Sequence, residues 1–126
     1  MKEAKPNGII VSKKLTQENP QAVRGLVRAI NKGIIDTLKD PDAAVARREA
    51  LIKFPVERER LDATLRDEMN HPEIARIGLG NVDPERLKKS IGILVEANEL
   101  PRTPAVVEIF TPAFLPPLAD LPKKLF

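Results

Sequence analysis

Asn19-Pro20-Gln21-Ala22-Val23-Arg24-Gly25-Leu26-Val27-Arg28-Ala29-Ile30-Asn31-Lys32-Gly33-Ile34-Ile35-Asp36-Thr37-Leu38 decides the fold class. Asn19 is a good N-cap, because its side-chain oxygen can accept a free amide proton of a first helical turn. Pro20 then sits at the first helical position, where a missing N–H costs nothing. Val23, Leu26, Val27, Ile30, Ile34 and Leu38 recur at the spacing of one helix face, while Arg24, Arg28, Lys32 and Asp36 take the other side. The pattern predicts an amphipathic helix that stops at Asp40-Pro41. Gly25 and Gly33 weaken it slightly and allow a neighbour to approach.

Downstream the same punctuation returns. Asp40 caps a second helix over residues 43–54, with Val45, Leu51 and Ile52 as its apolar positions. Pro55 breaks it. A third helix follows over 56–69, with Leu61, Leu65 and Met69 four apart. Asn70-His71-Pro72-Glu73 is a stop followed by a short turn through Arg76, and Gly78-Leu79-Gly80-Asn81 is a loop. Asp83-Pro84 opens a helix to about Asn98, with the core stripe Leu87, Ile91, Leu94 and Val95. One or two turns fit residues 105–110, and 118–126 reads as a loose tail. Upstream, Ser12 suits the cap of a short turn over residues 13–18. Gly8-Ile9-Ile10-Val11-Ser12 reads as a strand buried on both faces, although a lone strand needs sheet partners. The expected architecture is mainly α: one N-terminal strand, then about four helices, in a single segment over 1–126.

Composition removes many functions. The 126 residues contain no Cys, one His, no Trp or Tyr, four Phe and twelve Pro. Disulfides, Cys-ligated zinc and thiol nucleophiles are excluded, as are multi-histidine metal sites. Base-stacking platforms and aromatic cages lack their residues. Net charge is +3, with thirteen cations against nine anions up to residue 63 and eight against nine beyond it. The basic pairs Lys13-Lys14, Arg47-Arg48, Lys88-Lys89 and Lys123-Lys124 are scattered among acids, so no nucleic-acid partner is expected. No apolar window approaches the roughly 20 residues that span a bilayer, and residues 1–6 lack the apolar core of an export signal, so no membrane insertion is expected.

No group of residues supports catalysis. His71 and Glu73 stand two apart across a proline, which fits a polar helix-ending turn better than an acid/base couple. Gly78-Leu79-Gly80 follows no strand and lacks the Lys-Ser/Thr pair of a phosphate loop. Neither Ser12 nor Ser90 lies in a nucleophile elbow. The expected answers are no enzyme, no cofactor and no metal site.

The order of elements carries a resemblance. Gly8 to Leu15, Glu18 to Ala29, Gly33, and Asp40-Pro41-Asp42-Ala43-Ala44 are similar to one stretch of a known family. So are Glu68 to Glu73, Gly78 to Gly80, Val82 to Leu87, and Glu108 to Pro117. Together they resemble the C-terminal part of ABC-transporter substrate-binding proteins of the thiamine-precursor, nitrate, sulfonate and taurine group (NMT1/THI5-like). The resemblance implies part of a type II periplasmic-binding-protein fold, whose two α/β lobes close on a small solute. Residues 8–12 would be, or follow, the second crossover strand, and the helix from Pro20 would cover the first-lobe sheet. Most ligand-contacting positions of the family lie upstream of what this chain matches. Asn7 and Ser12 are the positions the resemblance places near the cleft or hinge.

Two functions follow as expectations. The first is a solute-binding component of an ABC importer, or a fragment of one, acting as receptor scaffold with little solute binding alone. Its partners would be the missing N-terminal lobes, an ABC permease, and a small organic or anionic solute held only with those lobes. Its location would be periplasmic by resemblance, or cytoplasmic if the chain is made as it stands. The second is a stand-alone helical module that self-associates through faces lacking their sheet, without a transport function.

Overall fold

Polar residues placed between consecutive helices set where each helix ends. The computed structural model describes residues 8–53 and 58–125. Ser12 caps α1 (Lys13–Glu18), its hydroxyl accepting from the Leu15 amide at 3.1 Å. Asn19 closes α1, with its backbone N–H donating to the Leu15 carbonyl. It also opens α2 (Pro20–Lys39), with its side-chain oxygen accepting from the Ala22 amide at 3.1 Å. Asp40 repeats this double role between α2 and α3 (Pro41–Ile52), accepting from the Ala43 amide at 3.0 Å. Each such cap contributes about 1 kcal/mol, and each proline behind it stands where no amide is missed.

Beyond α3 the described chain resumes in α4 (Arg58–Ala63), which widens into a π-helical segment over Thr64–Met69. The short α5 (Ile74–Ile77) leads through the Gly78–Gly80 region to α6 (Pro84–Ala97), then α7 (Val106–Ile109) and a 3₁₀ turn at Leu118–Asp120. Seven α-helices are present among the described residues, rather than about four, because the stretches at 13–18, 74–77 and 106–109 each close a helical turn of their own.

Val23 and Val27 of α2 are buried, each worth about 1.5–3 kcal/mol, and the same face continues through Asn31. Ile34 and Leu38 carry that face into a small core formed by Ile74, Leu79 and Leu125, with Met69 against it. Leu26 and Ile30, assigned by spacing to the same stripe, lie on its exposed margin. Leu65 of the π-helical segment and Ile91 of α6 are buried, whereas Leu94, assigned by spacing to the same α6 stripe as Ile91, is exposed.

Three expectations need correction. Residues 8–12 form no strand, and no strand occurs among the described residues; Ile10 is 96% exposed. A ladder needs a partner, and among the described residues none pairs with this apolar run. In α3, Leu51 is 83% exposed and Ile52 is exposed. Val45 and Ile52 are seven apart and share a face, whereas Leu51 falls off it, so the three make no stripe. The stretch from 118 is not loose: Leu121 and Leu125 are each 5% exposed, and the Leu79 amide donates to the Pro122 carbonyl at 2.8 Å. The leucines one and five places after the 3₁₀ turn supply apolar area that its proline-rich surroundings concealed. Phe54 and Val56, expected at a helix end and start, lie outside the described residues.

Candidate functional site

Ser12 is exposed, and its hydroxyl oxygen serves the first turn of α1. Asn7, the other nominated position, lies outside the described residues. Among the described residues the Ser12 side chain bonds to the Leu15 amide, the geometry of a helix entry.

The densest polar cluster sits where α5 meets α6. The backbone N–H of Glu73 donates to His71 Nδ1 at 3.3 Å, and the Glu73 carboxylate stands 3.8 Å from that same nitrogen. Arg86 Nε donates to both Glu73 oxygens at 3.0 Å. Asp83 caps α6 through the Glu85 and Arg86 amides at 2.9 and 3.1 Å and also pairs with the Arg76 guanidinium. The Arg86 amide, followed by the Arg76 side chain, holds the Asp83 carboxyl below the usual carboxylate range. Acceptors and donors here answer one another across two helix ends, with no nucleophile among them. The turn-like reading of His71 and Glu73 holds, and no group of three or more metal-ligating side chains occurs among the described residues.

Gly78 and Gly80 both adopt positive φ, at 78° and 89°, which glycine reaches without the cost a Cβ imposes. The turn they make presents Leu79 to the core, and its amide is taken by Pro122. The segment therefore turns the chain closely against Leu121 and Pro122.

Two surface features escaped the sequence. The Arg24 guanidinium lies 5.5 Å from the Phe114 ring centroid, and a groove of about 660 Å³ runs beside that contact between α2 and residues 114–117. Nothing in sequence spacing joins position 24 to 114; the regular Arg24, Arg28, Lys32 interval was the available signal. Elsewhere, Ile93, Leu94, Val107 and Ile109 of α6 and α7 are all more than half exposed.

Comparison with known proteins gives the class first. The family model described as NMT1/THI5 like matches residues 2–44, a stretch that takes in α1 and α2. The resemblance read from the sequence is thereby borne out, and it points to solute-binding proteins, not to enzymes. Among relatives, the riboflavin-binding protein RibY of Chloroflexus aurantiacus is 30% identical over 118 residues, covering 87% of this chain and 33% of RibY. The chain thus spans about a third of the length of that relative. No solved structure matches it. Among the described residues no helix is long and apolar enough to cross a membrane.

Proposed function

We propose that this chain is a scaffold part of a solute-binding protein of an ABC importer, with little or no solute binding of its own. The observation that carries the reading is exposed apolar side chains in the N-terminal half: among the described residues Ile10 is 96% and Leu51 83% exposed, and Ile9, Leu26, Ile30 and Ile52 are exposed as well. Apolar faces left to water mark surfaces for contact. They fit helices shaped to cover something further, such as the sheet of a lobe.

A solute cleft closes by bringing polar groups together from two lobes. In this reading the remaining lobes supply those groups, and Asn7 and Ser12 stand near the hinge. The completed receptor would meet an ABC permease and work in the periplasm; a chain synthesised without export would stay in the cytoplasm. Isothermal titration of the 126-residue chain with riboflavin, a thiamine precursor, a sulfonate and nitrate tests the claim. Flat isotherms are expected, and a micromolar one would sink it.

The exposed apolar side chains of α6 and α7 favour a second reading, a helical module that self-associates without a transport role. Under it, light scattering after size exclusion shows a stable dimer or larger species. A well-folded monomer at high concentration argues against it.

A further inference from the structure

We propose that the groove between α2 and residues 114–117 binds an extended acidic peptide segment in which carboxylates alternate with apolar side chains. One wall carries Arg24, Arg28 and Lys32, and the other carries Phe114, Leu115 and Pro116. Buried Asn31 and half-buried Ile35 also line it. The Asn31 side chain donates to the Val27 carbonyl at 3.1 Å, which fixes it within the helix.

The two walls ask for different chemistry from one occupant. Cations four residues apart on a helix rise about 6 Å per step. Alternate side chains of an extended chain repeat at about 6.6–6.8 Å on one side and present the intervening residues to the other. A segment with three carboxylates on alternate positions therefore meets three cations in register while its apolar residues face Phe114 and Leu115.

The cations are available for this. Arg24 is braced over the Phe114 ring at 5.5 Å rather than spent on a carboxylate. Arg28 and Lys32 are exposed and take part in no ion pair among the described residues. Asp120 is the one acid in the lining and leaves the groove net cationic. Charge complementarity of this kind selects partners and speeds encounter. The inference does not rest on the solute-binding reading, since solute titrations can be flat while peptide binding persists.

The test is fluorescence anisotropy with the 126-residue chain and three labelled hexapeptides. One alternates Glu and Leu, one has the same composition as a Glu block followed by a Leu block, and one alternates Lys and Leu. The alternating acidic peptide is expected to bind about tenfold tighter than the block peptide, and the Lys peptide not at all. Arg28→Glu with Lys32→Glu is expected to weaken it about tenfold with an unchanged circular dichroism spectrum. Should that pair perturb folding, Arg28→Gln with Lys32→Gln gives a smaller loss on the same scale. Equal affinity for both acidic peptides, or binding untouched by either double variant, overturns the proposal. So does failure of the alternating peptide to bind while phosphatidylglycerol vesicles sediment the chain through the same two residues.

Discussion

Arg86 Nε stands 3.0 Å from each carboxylate oxygen of Glu73, so a single nitrogen ties the entry of α5 to the first turn of α6. Both side chains are about four-fifths buried. Replacing Glu73 by Gln leaves the guanidinium facing a weaker acceptor in a partly desolvated position. Charged hydrogen bonds of this kind contribute about 1.5–3 kcal/mol. Urea unfolding of Glu73→Gln is expected to lose stability in that range, and a midpoint equal to that of the parent would show the contact to be idle.

The glycines divide into two classes. A Cβ at Gly78 would lie 2.6 Å from Leu121 Cβ and 2.9 Å from its Cδ1, at φ 78°. Gly78→Ala combines backbone strain with an overpacked contact and is expected to cost about 2–4 kcal/mol. Gly25 and Gly33 have nothing within 4 Å of a built Cβ, and both sit inside α2. Alanine there is expected to add about 0.5–1 kcal/mol each. Thermal midpoints of the three variants check the opposite signs directly.

Acid sensitivity is expected to run through two capping carboxyls. Asp83 is held low by the Arg86 amide and then Arg76; Glu108 is held low by Arg102 and then the Ala105 amide. A carboxyl with a depressed folded pKa lends stability above its unfolded value, and that stability is lost as pH falls through the folded one. Stability should therefore drop as pH is lowered from about 5 towards 2. Asp83→Asn keeps an acceptable cap and is expected to flatten part of that drop. An unchanged slope would place the acid sensitivity elsewhere.

Leu125 joins Ile74 and Leu79 in the core at 5% exposure. Leu125→Ala is expected to cost about 2–4 kcal/mol, by loss of transfer energy together with a cavity. A loss below about 1 kcal/mol, measured in urea, would mean that the site collapses around the smaller side chain.

Helix entries were the most legible part of this chain, because capping is local chemistry. Asn19, Asp40 and Asp83 each accept the amide hydrogen bonds that the cap-then-proline pattern implies. Contacts across the sequence were not legible. The proline-rich stretch after residue 110 reads as irregular, yet its leucines meet a glycine turn some forty positions earlier. Local pattern contains no term for that meeting. The strand at 8–12 failed for the converse reason: its residues suit a sheet, and a sheet is a property of several segments together. Of the candidate site, the i, i+4 cations were visible as one face of α2. Their neighbour Phe114 was not, since it reaches them only through the tertiary fold.

The bond from the Leu79 amide to the Pro122 carbonyl also dictates an order of events during synthesis. A nascent chain that has emerged only as far as α6 holds Ile74 and Leu79 with Ile34, Leu38 and Met69 beside them but without Leu125 to close the cluster. The small core is completed only when residues 121–125 have left the ribosome, so folding of this stretch finishes after translation of it, not alongside. Until then Leu79 and its apolar neighbours are open to whatever meets emerging polypeptides in the cell.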